Sequence, residues 1–253
     1  MFSNAIVRKP SKSMINGLTD ANLGVPDYRK ALEQHESYLY SLKECGLNVK
    51  VLEADENFPD STFVEDVALL TPRCAIITNP GAPSRRGEIV AMRDVVKEFY
   101  SDIEEIVSPG RVEAGDIMMV GNHYYIGLSA RTNQNGAEQV IAILNKYGMT
   151  GSVIKLEKVL HLKTGLAYLE NNNLVVCGEF LFDPELKKFN FIEIAEDESY
   201  AANCIWINDK VLIPSGYPKA KQSIIDAGYT VVELDMSEFQ KLDGGLSCLS
   251  LRF

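Results

Sequence analysis

The chain has 253 residues, of which 46% are hydrophobic and 24% charged, with a formal net charge of −10. That length and balance fit one domain, or at most two, with a sizeable core. The acidity disfavours nucleic acid and anionic lipid as partners and would favour a cationic small molecule at a cleft that focused it.

Read from the front, residues 4–8 form an apolar strand, and a helix over 28–42 and a strand over 47–52 follow. Apolar runs at 67–70 and 74–78 flank Thr71, Pro72 and Arg73, which predicts a hairpin. A helix over 87–100 comes next, with Ile89, Val90, Val96 and Phe99 near helical spacing, and then a strand over 103–107. The same order returns with a hairpin of 117–120 and 123–126 around Gly121 and Asn122, a helix over 133–147 and a strand over 152–156. A third copy uses strands at 166–169 and 174–176, a short helix after Pro184 and a strand over 191–194. The fourth uses 205–207 and 210–213 around Asn208 and Asp209, a helix over 220–227 and a strand over 230–234.

Pairing of residues 246–251 with residues 4–8 would supply a fifth copy from the two chain ends. The expected fold is therefore α/β, a fivefold pseudo-symmetric α/β propeller of ββαβ modules. Residues 1–253 form one domain closed by its terminal strands, because closure removes exposed sheet edges. In such a ring, equivalent positions of different modules converge. Glu65 and Asp66 precede the first hairpin, Glu113 and Asp116 the second, His161 the third, Asn203 opens the fourth, and Cys248 falls in the closing strand. Acid, imidazole and thiol at corresponding positions point to a catalytic cleft, whereas any one of them alone is more simply a cap or loop residue.

Five cysteines, odd in number and without a Cys-x-x-Cys pair, fit a reducing cytoplasm and argue against a disulfide framework or structural zinc. Cys45, Cys74, Cys177 and Cys204 lie in or beside apolar segments, as packing cysteines do. Cys248 differs, since Gly244 and Gly245 precede it and Ser247 keeps its surroundings polar, as an accessible nucleophile requires. No apolar run approaches a membrane span, and residues 1–9 lack the stretch of a secretion signal.

Six segments carry a resemblance: 59–66 (PDSTFVED), 113–119 (EAGDIMM), 129–132 (SART), 160–165 (LHLKTG), 198–203 (ESYAAN) and 243–248 (DGGLSC). In order and spacing the chain resembles the dimethylarginine dimethylaminohydrolases, members of the guanidine-modifying superfamily with a fivefold α/β propeller. The resemblance implies a hydrolase of linear amidines that converts asymmetric dimethylarginine to citrulline and dimethylamine, also takes monomethylarginine, and needs no metal or organic cofactor. It implies catalytic roles for Cys248, His161 and Glu113. It also implies substrate contacts from Glu65 and Asp66 to the guanidinium nitrogens, from Arg85 and Arg131 to the carboxylate, and from Asp60 and the backbone near Leu18 and Leu242 to the α-amino end. A homodimer is compatible with it. Arg86, His35 and His123 are expected to be structural or surface residues.

A guanidinium carbon is a poor electrophile, so its hydrolysis needs a strong nucleophile, a fixed geometry and a protonated leaving group. Thiolate, carboxylate and imidazole supply these in turn. The carboxylates around the site are also expected to keep the empty enzyme's thiol protonated, so that a bound guanidinium helps to generate the nucleophile. An arginine deiminase, an amidinotransferase or another guanidine hydrolase shares the same residue types, and a non-catalytic sensor of cationic amino acids could keep the pocket alone. Lys163, where deiminases typically carry an acid after the His-Leu pair, weighs against the deiminase.

Overall fold

The computed structural model describes all 253 residues. They form two compact units, Met1–Val64 with Gly165–Arg252, and Glu65–Thr164 with Phe253.

The chain starts in the first unit with β1 (Asn4–Arg8), α1 (Tyr28–Glu44) and β2 (Asn48–Leu52). Asp27 begins α1 by accepting the N–H groups of Arg29 and Lys30 at 2.8 and 3.1 Å, which satisfies two donors the first turn leaves open. Gly46, at φ +85°, ends the helix in a left-handed conformation that favours glycine. Between those ends Ala31, His35, Tyr38 and Leu42 recur at helical spacing and form its buried face. His35 is a core residue as expected, and burial pushes its imidazole down to about 4, despite an opposing backbone hydrogen bond at Arg8.

The second unit holds two modules: β3 (Ala68–Leu70), β4 (Ala75–Ile77), α2 (Glu88–Val96) and β5 (Ile103–Glu105), then β6 (Ile117–Val120), β7 (His123–Leu128), α3 (Gln134–Lys146) and β8 (Thr150–Lys155). In each, the first two strands pair antiparallel and the third runs parallel to the second, the helix making the crossover that a parallel pair requires. Ile76, Val112, Ile126, Val140 and Leu144 pack in this unit's core. His123 takes a structural role, its ring nitrogens bonded to the hydroxyls of Thr150 and Ser152 at 2.8 and 2.9 Å.

Returning to the first unit, the chain makes β9 (Leu166–Tyr168), β10 (Asn173–Val176) and β11 (Asn190–Glu193). Then come β12 (Ile205–Ile207), β13 (Lys210–Pro214), α4 (Pro218–Asp226), β14 (Thr230–Leu234), the single turn α5 (Ser237–Gln240) and β15 (Leu251–Arg252). Five three-stranded sheets result, and β15 pairs antiparallel with β1, so the chain ends do complete one module. All five modules have the strand content and order expected of the α/β propeller class, and four of them the expected α-helix.

Two local expectations are corrected. No helix follows Pro184; the third module instead has a 3-10 helix, Gly178–Phe182, followed by turns that bury Leu186 and Phe189. Residues 246–251 are not a continuous strand either, because Ser247–Leu249 is a 3-10 turn and only Leu251–Arg252 is extended enough to pair. No helix is long and apolar enough to cross a membrane.

Candidate active site

In the second unit the polar residues sit at equivalent places, just before the first strand of a module. Asp66 lies in a 3-10 turn, Val64–Val67, that leads into β3, Glu113 precedes the turn Ala114–Asp116 that leads into β6, and His161 precedes the turn Leu162–Thr164. His161 Nε2 is 3.0 Å from Glu113 Oε2 and 4.0 Å from Asp66 Oδ1. Gly115 makes this approach possible, since a Cβ there would lie 2.8 Å from Asp66 Oδ1 and 3.1 Å from His161 Cγ.

Glu113 is fully buried, and its other oxygen accepts the N–H of Ala82 at 2.9 Å. Burial opposes charge on both partners, but mutual attraction wins. The Glu113 carboxyl is held below the usual range by His161 and Arg85, and the His161 imidazole rises to about 9 against its own desolvation because Asp66, Asp116 and Glu113 surround it. At neutral pH His161 is therefore a cation that donates its Nε2 proton to Glu113.

Asp116 fixes the backbone beside that imidazole. Wholly buried, it accepts the N–H of Leu162 at 3.0 Å and the Ser129 hydroxyl at 2.6 Å, and desolvation pushes its own carboxyl up. Arg131 donates to both oxygens of Glu113 at 3.3 Å. Glu65 receives Lys163 Nζ at 2.6 Å.

Arg85 is buried, with NH1 on Asp66 Oδ2 at 2.5 Å and Nε and NH2 on the two oxygens of Glu88 at 3.0 and 2.9 Å. At least three of its five N–H groups thus hold carboxylates of its own unit. Arg85→Ala is consequently expected to destabilise the fold by about 3 to 5 kcal/mol, because two buried acids lose their cation, rather than to weaken substrate binding alone. Urea unfolding monitored beside a KM measurement separates the two effects, and an unchanged unfolding midpoint would contradict this account.

In the first unit Leu18, Asp60 and Leu242 meet around Gly17. Asp60 Oδ1 accepts the N–H of Leu18 at 2.9 Å, and a Cβ on Gly17 would lie 2.9 Å from Asp60 Oδ1 and 3.3 Å from a methyl of Leu242. Leu18 itself is 41% exposed although apolar. Cys248, the one cysteine of the five that is not fully buried, lies in the middle of the turn Ser247–Leu249. Its sulfur accepts the N–H of Gly245 at 3.4 Å. Tyr38 anchors the segment on both sides, its hydroxyl lying 3.0 Å from Leu246 O and 2.6 Å from Ser250 Oγ. Ser247 is buried against Asn203, so it does not provide the polar surface expected of it. Gly244 and Gly245 are likewise demanded by packing, since a Cβ would strike Phe63 at 2.2 Å and Asn203 at 2.4 Å.

Residues 27–250 match the family model described as N,N dimethylarginine dimethylhydrolase, eukaryotic. Along its whole length the chain is 59% identical to the N(G),N(G)-dimethylarginine dimethylaminohydrolase of Pseudomonas aeruginosa, whose whole length is covered as well. The chain belongs to the dimethylarginine dimethylaminohydrolase family. Two solved structures at 59% identity share the fold with a TM-score of 0.99 over all of both chains. One is a Cys-to-Ser variant of the P. aeruginosa dimethylarginine dimethylaminohydrolase in complex with citrulline. The other is a His-to-Gly variant of a dimethylarginine dimethylaminohydrolase as an adduct with S-methyl-L-thiocitrulline.

In this family member the residue types of the site are legible in the sequence, whereas several of their partners are not. Glu88 was legible as an acid three residues beyond Arg85, a spacing at which side chains meet on a helical turn. The pairing of Lys163 with Glu65 had no local signal, because 98 residues separate the two. Asp66, Glu113 and His161 also offer ligand atoms within 4.8 Å of one another, the spacing of a cation site. A metal there would have to displace the proton that His161 holds to about pH 9 and compete with Arg85 and Arg131 for the carboxylates.

Proposed function

We propose that the protein is a dimethylargininase that hydrolyses asymmetric dimethylarginine to citrulline and dimethylamine, and monomethylarginine to citrulline and methylamine, through a covalent thiouronium on Cys248. The 59% identity over the whole length of the P. aeruginosa enzyme carries this reading. Five free thiols suit a cytoplasmic enzyme.

In this mechanism the Cys248 thiolate adds to the guanidinium carbon and gives a neutral tetrahedral adduct. His161, charged at neutral pH, protonates the dimethylamino nitrogen, which leaves as dimethylamine and creates the thiouronium cation. The imidazole, now neutral, takes a proton from water as the water adds to the same carbon. Collapse of the second adduct expels the thiolate and forms citrulline once the hydroxyl proton passes to solvent base. Glu113 holds His161 in position and stabilises its charge. Glu65 and Asp66 face the substrate nitrogens, and Arg131 with Arg85 the carboxylate. Asp60, Leu18 and Leu242 hold the α-amino end.

Product identity tests the reaction. Dimethylarginine should release dimethylamine and citrulline in equal amounts, whereas ammonia from arginine at a higher kcat/KM would make the protein a deiminase. Binding of either amino acid without product would leave only the sensor.

A further inference from the structure

Asn203 lies at the end of the 3-10 segment Glu196–Ala202, mostly buried and 8% exposed. Its side-chain amide makes two bonds to one residue: Oδ1 accepts the N–H of Ser247 at 3.0 Å, and Nδ2 donates to Ser247 Oγ at 3.2 Å. The same amide lies flat against Gly245, where a Cβ would fall 2.4, 2.6 and 2.7 Å from its Cγ, Oδ1 and Nδ2. Gly245 in turn donates its N–H to Cys248 Sγ at 3.4 Å and accepts the Cys248 N–H at 3.2 Å. Asn203 therefore grips the turn at Gly245 and Ser247, two residues that hydrogen-bond with or lie beside the sulfur.

We propose that Asn203 is the positioning residue of the nucleophile, locking the 245–248 turn so that the Gly245 N–H stays aimed at Cys248 Sγ. This rests on the reading of Cys248 as the nucleophile. An N–H directed at sulfur binds a thiolate more strongly than a thiol, because hydrogen bonds to an ionised acceptor are roughly twice as strong as neutral ones. A fixed turn also removes the rotational freedom that attack on a bound carbon would otherwise have to freeze out. Tyr38 also holds the segment, at Leu246 O and Ser250 Oγ, while Asn203 holds it at Ser247 and packs on Gly245. Ser247 Oγ, 3.9 Å from Sγ, acts mainly as the handle for Asn203.

The test compares wild type with Asn203→Ala, Asn203→Asp, Ser247→Ala and Cys248→Ser. Thermal stability, kcat and KM on dimethylarginine, and the pH dependence of iodoacetamide alkylation are measured for each. Because the other four cysteines are buried, the fast alkylation phase reports Cys248. In Asn203→Ala the thiol pKa is expected to rise enough to cut the thiolate fraction about tenfold, and kcat to fall about tenfold or more with KM within about twofold. Asn203→Asp keeps the acceptor for the Ser247 N–H and should keep the melting temperature near wild type, while its added negative charge raises the thiol pKa further. A purely structural asparagine would lower the melting temperature and leave the thiol titration and kcat of the folded enzyme alone, which would overturn the proposal. Should Asn203→Ala fail to fold, Ser247→Ala carries the test: a shift of the thiol titration in the same direction supports the proposal, and an unmoved one overturns it. If Cys248→Ser keeps turnover, the assignment of the nucleophile is what fails. If Cys248→Ser is inactive while Asn203→Ala matches wild type, only the role of Asn203 is lost.

Discussion

Cys248→Ser is expected to lower kcat by at least about 10³-fold while leaving the dissociation constant for citrulline or dimethylarginine within a few-fold of wild type. A serine hydroxyl stays protonated at neutral pH where a thiol can ionise, and a guanidinium carbon reacts only with a strong nucleophile. The substitution replaces one atom, and the turn around it is held through Gly245 and Ser247, so its shape should survive. The residues proposed to hold substrate also keep their partners, with Asp60 on Leu18 and Glu113 on His161. Citrulline release and calorimetric titration measure the two quantities separately. Turnover within tenfold of wild type would remove covalent catalysis by this residue. A companion measurement concerns the thiolate itself, whose absorbance should rise when a non-reactive guanidinium ligand binds if the substrate cation helps to ionise the sulfur. The structure tempers its premise, because Glu65, Asp66 and Glu113 each already hold a cation, Lys163, Arg85 and His161 with Arg131 respectively.

The modules were legible because each hairpin announces itself with two short apolar runs around turn residues, such as Gly121 at φ +58° and Asn208 at φ +60°. The third module departs from expectation after Pro184, since a proline following an aspartate looks like a helix start while a 3-10 helix buries Phe180 and the turns after it bury Leu186. The Cys248 segment was misread for a related reason. Leu246, Leu249 and Leu251 suggest an extended apolar run, yet Leu246 and Leu249 are three residues apart, and a 3-10 turn buries both on one side. At the site, charged residues cannot be distinguished in sequence from solvated surface groups. The burial of Arg85 between Asp66 and Glu88 depends on a 19-residue separation as well as a local one, and only folding brings both together.

Glu113→Gln is expected to cost about 10² to 10⁴-fold in kcat and to move the alkaline limb of the pH profile to lower pH. The proposed general-acid step requires a proton on His161. Its folded value near 9 lies above the ordinary 6.5, so the acid form is fully present at neutral pH and is lost as pH rises through about 9. Stability follows the same sign: the gain from the charged imidazole is complete below about 6.5 and disappears as pH climbs through the folded value. Glu113 works in the opposite direction. Its depressed carboxyl contributes fully above its unfolded value of 4.5, and that contribution is lost as pH falls toward the folded one. Removing the Glu113 charge takes away one of the three acids that hold the proton on His161. Asp66 and Asp116 remain, so the imidazole should titrate between its ordinary value and 9 instead of falling all the way back. Profiles of kcat/KM from pH 5 to 10, with the imidazole titration followed by NMR, measure this directly. An alkaline limb that does not move, on an enzyme that has lost activity, would show that Glu113 acts on substrate and not through His161.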